Sequence, residues 1–124
     1  MVILLCTAEE LMLTTLEYRF RKHGWRLEVA KDARQAGIFV KKLAPDLVIV
    51  DLELPEYEGL DIIQTLHSEH SEDLPLLATA QLEEESLLME ALRLGAHDFI
   101  IHPYKPDELV LRIRRLLQMQ KVAG

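Results

Sequence analysis

Asp51 is the residue of this sequence that is best placed to do chemistry. It directly follows the apolar, largely β-branched run Leu-Val-Ile-Val at 47–50, which is typical of a strand covered on both faces. In an open parallel α/β sheet, ligands and reacting groups gather beyond the carboxyl ends of the strands. A carboxylate at this position is therefore a site candidate, although strand ends also carry aspartate simply to begin a solvated turn.

Five strand-like segments alternate along the chain with five helical ones. The strands are predicted at 2–6, 26–30, 47–50, 74–79 and 99–101. Strict alternation predicts a parallel sheet with helices on both faces. Right-handed crossovers then favour a flavodoxin-like, doubly wound (βα)5 fold with strand order 2-1-3-4-5.

This topology predicts which polar residues meet. The ends of strands one, three, four and five converge at one edge of the sheet, which brings together residues 7–9, Asp51, Thr79 and His102. In the first of these segments, Thr7 and Glu10 have the spacing of a capping box. We therefore expect the first helix to begin directly after Thr7.

Composition narrows the class of protein. A chain of 124 residues with 49% apolar and 28% charged residues fits one soluble domain over 1–124, which can be the N-terminal part of a longer protein. No apolar run approaches the ~20 residues of a membrane span. The one cysteine, Cys6, is predicted to be buried, which fits a cytoplasmic location. The net charge of −7 argues against nucleic-acid binding by this domain alone.

Four segments, in order and at matching spacing, resemble the receiver domain of bacterial two-component response regulators. They are PDLVIVDLELPEYEGLD at 45–61, ATA at 78–80, EALRLGAHDFI at 90–100 and HPYKPDEL at 102–109. The resemblance implies a phosphorelay signalling domain, not an enzyme. Asp51 would accept a phosphoryl group from a histidine kinase or a small phosphodonor.

The same resemblance gives roles to four further residues. Thr79 would contact the phosphoryl group, with Ala80 beside it leaving access open, and Phe99 would be the aromatic switch residue. His102 stands where the family has a lysine. An imidazole that is neutral near pH 7 is a poorer permanent partner for phosphate, but it could still donate a hydrogen bond.

The sequence also departs from the family at the metal site. Two adjacent acids normally end the first strand and help to hold Mg²⁺; here Thr7 and Ala8 take their places. A cation is needed because the donor and the nucleophile are both anionic and repel each other. Asp51, the backbone carbonyl of Glu53 and Glu9 remain as ligands, so we expect a weakened Mg²⁺ site. Glu9 can alternatively be a helix N-terminal acid that favours the dipole.

A partner surface is predicted on the fourth helix, the fifth strand and the fifth helix. The apolar residues of the fourth helix cover more than one buried stripe, so Leu88 is predicted to lie on the surface. Asp98, Glu108 and Arg112 match the charge pairs of a dimer in the DNA-binding subfamily, but Leu88 replaces a lysine. The surface would therefore bind a second copy or a downstream protein through a more apolar contact.

Two rival functions stay open. A pseudo-receiver would keep the fold as an interaction module without phosphorylation, as Thr7, Ala8 and His102 allow. A flavodoxin-like cofactor-binding protein would need a phosphate-binding loop after the first strand, where this chain has the acidic sequence TAEE.

Overall fold

A five-stranded parallel sheet, in the order β2-β1-β3-β4-β5, lies at the centre of the molecule. The computed structural model describes residues 1–123, with side chains up to Gln120. The strands are β1 (Val2–Cys6), β2 (Arg26–Ala30), β3 (Leu47–Asp51), β4 (Leu76–Gln81) and β5 (Asp98–His102). Every residue of β3 is buried, as its continuous apolar sequence predicts. The predicted fold class and strand order are confirmed.

Five helices connect and cover the strands. They are α1 (Leu13–Arg21), α2 (Ala33–Leu43), α3 (Glu58–His70), α4 (Glu85–Leu94) and α5 (Pro106–Ala123). Short 3₁₀ turns at Pro55–Tyr57, Ser71–Asp73 and Leu82–Glu84 precede or follow them. No helix within residues 1–123 is both long enough and apolar enough to cross a membrane.

The sheet separates two apolar cores because alternate strand residues point to opposite faces. On one face, α2, α3 and α4 pack on a layer that includes Cys6, Val48 and Val50. On the other face, α1 and α5 pack on a layer that includes Leu5 and Ile49. Cys6 is buried, as predicted, and burial raises the pKa of its thiol to about 12.

The first helix begins later than the sequence predicts. Helix α1 starts at Leu13, its N-cap is Met12, and no side chain caps it. The Thr7 hydroxyl instead donates to the buried carboxylate of Asp51, and Glu10 pairs with Lys31 at 3.0 Å. The predicted capping box is therefore wrong. The Thr7 hydroxyl supplies a donor that the buried carboxylate requires, and its oxygen accepts from the Glu9 backbone N–H at 3.1 Å without starting a helix there.

Leu88 is a core residue, so the prediction that it lies on the partner surface is wrong. It is only 3% exposed, whereas its neighbour Met89 is 61% exposed. Leu88 and Ala91 are three residues apart and therefore share one face of α4. Both belong to the core between α4, α3 and the sheet.

Two histidines at the other end of the sheet are partly buried. His97 accepts a hydrogen bond from the Leu76 backbone N–H at its Nδ1 (3.0 Å). Its Nε2 lies 2.7 Å from a carboxylate oxygen of Glu72. The Nδ1 atom of His67 is buried and makes no hydrogen bond within the described residues. Both side chains pack where α3 meets the start of β5, away from the converging strand ends.

The position of Leu88 can be tested by unfolding. Leu88→Ala should lower the free energy of unfolding by about 2–5 kcal/mol, because it removes buried apolar atoms and leaves a cavity. Met89→Ala, the matched change on the exposed side of the same helix, should stay within about 0.5 kcal/mol of the wild type. Urea denaturation of the three proteins measures the difference. Equal stabilities for the two variants would contradict the burial of Leu88.

Candidate functional site

The polar residues at the strand ends share one face of the sheet because of the two-residue period of a strand. On the α1/α5 side, Leu5 is followed two residues later by Thr7, and Ile49 by Asp51. In the same way Leu77 is followed by Thr79, and Ile100 by His102. The register places Asp51 directly beside Thr79 on the neighbouring strand. The apolar layer of this face therefore ends in a polar edge.

These side chains line a cavity of about 510 Å³ at the carboxyl edge of the sheet. Its polar wall is Thr7, Glu9, Asp51, Glu53, Thr79, Gln81 and His102. Its apolar wall is Leu5, Leu11, Met12, Leu13, Leu16, Pro103 and Tyr104. Such a cavity is large enough for a small ligand or a transferred group. The late start of α1 leaves residues 8–12 as a loop on one side of it.

The carboxylate of Asp51 is held at both oxygens. The residue is 7% exposed. The Thr7 hydroxyl donates to Oδ2 at 2.7 Å, and the Glu53 backbone N–H donates to Oδ1 at 2.9 Å. Two neutral donors therefore stabilise a carboxylate that is almost completely removed from water.

Two backbone features hold the end of β3 close to β4 and to helix α3. The Leu52 N–H donates to the Thr79 carbonyl at 2.8 Å, which extends the β3–β4 ladder past Asp51. Helix α3 comes so near that a Cβ atom on Gly59 would lie 2.9 Å from the Asp51 carbonyl oxygen. Only glycine fits there without displacing the loop that carries Glu53.

Thr79 and His102 complete the polar edge. Thr79 is 2% exposed and lines the cavity beside Asp51 on the neighbouring strand. His102 lies across the cavity on β5, and its ring centroid is 5.0 Å from that of Tyr104. The peptide bond between His102 and Pro103 is cis.

Tyr104 is a member of the site that the sequence analysis did not identify. Burial, with a further contribution from the charge of Asp51, raises the pKa of its phenol to about 12. Tyr104 lies within the segment HPYKPDEL that carries the resemblance, but the sequence analysis gave it no role. The packing of the β5–α5 connection against the α1 side places its ring at the cavity wall.

The predicted metal ligands are only partly assembled. Within the described residues, no group of three or more His, Cys, Asp and Glu side chains is arranged to hold a metal ion. Asp51 and Glu9 line the same cavity, but Glu9 Oε1 accepts a hydrogen bond from the Leu11 N–H at 2.8 Å. Magnesium takes oxygen ligands and is usually held by one or two carboxylates with water. The carboxylates of Asp51 and Glu9 are therefore enough to hold Mg²⁺, but they provide no additional ligand.

The remaining predicted residues lie outside the cavity. Ala80 faces the opposite core, and Phe99 packs against that core from β5. Asp98 is 9% exposed and accepts hydrogen bonds from Arg112 and from Arg115 at 2.9 Å. Arg112 also lies 3.5 Å from Glu108. The predicted surface charges are thus paired with one another within the chain.

The state of Tyr104 predicts a loss of stability at alkaline pH. An unfolded tyrosine releases its proton near pH 10, whereas in the folded protein Tyr104 keeps it until about pH 12. The folded state therefore binds more protons in this interval, so stability is unchanged below pH 10 and falls as the pH rises toward 12. Tyr104→Phe should reduce that fall in urea denaturation at pH 9 and pH 11. The control for loss of an exposed phenol is Tyr18→Phe, and equal falls in the wild type and Tyr104→Phe would contradict the assignment.

Comparison with known proteins identifies the family. The family model for the response regulator receiver domain matches residues 3–114. The regulatory protein AtoC of Escherichia coli is 32% identical over 120 residues, which are 97% of this chain and 26% of AtoC. The alkaline phosphatase synthesis transcriptional regulatory protein PhoP of Bacillus subtilis is 29% identical over 122 residues, which are 98% of this chain and 50% of PhoP. The chain thus spans about a quarter to a half of the length of these relatives.

Solved structures agree with this comparison. NtrX from Brucella abortus, in complex with ATP, is 29% identical with a TM-score of 0.87, over 98% of this chain and 27% of that one. The receiver domain of TorR has a TM-score of 0.88 at 21% identity, over 95% of this chain and 97% of that one, which is evidence for the fold alone. With the family match over most of its length, the chain belongs to the response regulator receiver domains, the signalling modules of two-component systems.

Proposed function

We propose that Asp51 accepts a phosphoryl group from a histidine kinase or a small phosphodonor. The observation that carries this proposal is the position of its carboxylate. It lies at the carboxyl edge of the central strand, on the wall of a cavity that Thr79 and His102 also line, and Thr79 is its neighbour on β4. Chemistry in doubly wound folds takes place at this edge.

The transfer is a substitution at phosphorus. A carboxylate oxygen of Asp51 attacks the phosphorus atom, and an acyl phosphate O–P bond forms. With a phosphohistidine donor, the P–N bond breaks, and its electron pair returns to the imidazole of the donor. The Thr79 hydroxyl and an N–H of His102, which lines the same cavity, can each donate a hydrogen bond to a phosphoryl oxygen.

Asp51, the backbone carbonyl of Glu53 and Glu9 would hold Mg²⁺. The bound ion would neutralise the charge that develops between donor and nucleophile. Of the residues that line the cavity in the described part of the chain, none is Lys or Arg. The chain's own residues therefore contribute little positive charge to the transfer, which is why a cation is needed even though its site is weak.

The response to phosphorylation would be read on the surface of α4, β5 and α5, without Leu88. Phe99 on β5 is partly exposed and packs against the core beneath α4, so it can link the site to that surface. Asp98, Glu108 and Arg112 form a paired charge cluster there. The partner would be a second copy of the chain or a downstream protein.

The pseudo-receiver is the second candidate function, and one observation favours it. The neutral hydroxyl of Thr7 lies against Asp51 at the end of β1, where the family has acids that bind the metal. If the Thr7 hydroxyl only stabilises the buried carboxylate, and no metal binds for phosphoryl transfer, Asp51 has a purely structural role.

Phosphorylation at Asp51 separates the two functions. Incubation of the wild type with acetyl phosphate and Mg²⁺ should add one phosphoryl group, measured by intact mass. Asp51→Asn should abolish the adduct, because an amide cannot act as the nucleophile. The matched control is Asp61→Asn, which changes an exposed aspartate on α3 and should preserve the adduct. No adduct on the wild type with acetyl phosphate or a kinase would support the pseudo-receiver, and an adduct on Asp51→Asn would refute the assignment.

Restored acids should tighten Mg²⁺ binding. Thr7→Asp combined with Ala8→Asp should raise the affinity by about tenfold or more, since each carboxylate close to the ion adds on the order of 1–4 kcal/mol. NMR shifts of the Glu53 amide during a Mg²⁺ titration measure this change. Gln64→Glu with Ser68→Asp adds the same charge at exposed positions of α3 that do not line the cavity and controls for net charge. A wild type that already binds as tightly as the restored variant would disprove the weak site.

A further inference from the structure

The Thr7 hydroxyl is the middle of a chain of hydrogen bonds whose direction is determined. Its Oγ1 accepts from the Glu9 backbone N–H at 3.1 Å and lies 2.7 Å from Asp51 Oδ2. An ionised carboxylate can only accept, and a backbone N–H can only donate. The proton between Thr7 and Asp51 therefore belongs to Thr7.

The sheet holds this donor in place. The Thr7 backbone N–H donates to the Ala30 carbonyl at 2.9 Å. The preceding residue, Cys6, pairs with both neighbouring strands, opposite Ala30 on β2 and Val50 on β3. Thr7 is 6% exposed, and its β-branched side chain has restricted rotation about χ1. The hydroxyl is therefore fixed directly after β1, the strand beside the one that carries Asp51.

The second oxygen of Asp51 is held independently. The Glu53 N–H donates to Oδ1 at 2.9 Å. Donors on two different segments therefore define the plane of the carboxylate, and neither donor carries a formal charge. We call these two donors, the Thr7 hydroxyl and the Glu53 N–H, the clamp. Each carboxylate oxygen accepts only one of their hydrogen bonds and keeps a further lone-pair site, so the nucleophile is still able to attack.

We propose that Thr7 is a positioning residue. With the Glu53 N–H, it holds the Asp51 carboxylate in the orientation used for attack, without a cation. The inference rests on the proposed function of Asp51 and assigns separate roles to the two donors and to Mg²⁺. Thr7 and Glu53 orient the nucleophile, and Mg²⁺ only neutralises charge. Thr7 keeps its proton throughout the transfer.

The first test is the orientation of Asp51 with and without Mg²⁺. Three-bond NMR couplings that report on χ1 of Asp51 should show one rotamer in the wild type under both conditions. Thr7→Val keeps the shape of the side chain but lacks the hydroxyl, so the couplings should become averaged without Mg²⁺ and sharpen when it is added. Thr7→Ser restores the donor and should restore the single rotamer. A wild-type rotamer that forms only with Mg²⁺ would overturn the proposal without recourse to any variant.

The second test is the rate of phosphorylation by acetyl phosphate as a function of Mg²⁺ concentration. Loss of orientation should slow Thr7→Val by about tenfold or more at low Mg²⁺, with partial recovery at saturation. Thr7→Ser should recover most of the rate. Thr14→Val, at an exposed position on α1, controls for a threonine-to-valine change. A merely structural role of Thr7 would lower the rate equally at every Mg²⁺ concentration, and that result would overturn the proposal.

The two tests also separate this proposal from the proposed function. A wild type that is never phosphorylated, but whose Asp51 has one rotamer without Mg²⁺, would refute the phosphoacceptor role and leave the clamp in place. A wild type that is phosphorylated, but whose Asp51 adopts one rotamer only when Mg²⁺ is bound, would support the phosphoacceptor role and refute the positioning role of Thr7.

Discussion

Burial of the Asp51 carboxylate is the constraint on which the rest of the site depends. A charged group taken out of water is tolerated only when hydrogen bonds or opposite charges replace the lost solvation. At this edge the replacements are a hydroxyl from β1 and a backbone N–H from the loop after β3. Helix α1 begins only at Leu13, and residues of the loop before it line the cavity beside this carboxylate.

The neutral clamp changes the electrostatics of the receiver site. An acid at position 7 would lie against Asp51 and would need a cation to offset the repulsion. A hydroxyl at the same place stabilises the carboxylate without a cation, but it contributes no charge to hold one. In the function that we propose, the site is therefore better suited to orient its nucleophile than to bind Mg²⁺. His102 in the place of a lysine acts in the same direction, because an imidazole is not a permanent positive charge.

Away from the site, the molecule ties its fifth strand to its fifth helix. The nearly buried Asp98 accepts bonds from Arg112 and Arg115, so the start of β5 and the middle of α5 are joined by charge-assisted contacts. A partner that used these charges would have to break or share existing pairs. The apolar residues that α4 presents to solvent are also fewer than its sequence suggests, because Leu88 packs inward. Both features make this surface more polar than a helix rich in leucine implies.

The alternating elements, the parallel sheet, its order and the convergence of Asp51, Thr79 and His102 followed from the sequence. These features depend on periodicity and chain topology, which are local or nearly so. The same period of two, extended one step past Leu5, would also have placed Thr7 on the face of Asp51. What it could not decide is where α1 begins and that the Thr7 hydroxyl donates to a carboxylate 44 residues away, because both depend on side-chain contacts between segments that are far apart in the chain. Leu88 and Tyr104 were misplaced or missed for a related reason. The rotation of α4 and the packing of the β5–α5 connection are set by neighbouring elements, so only the tertiary structure decided them.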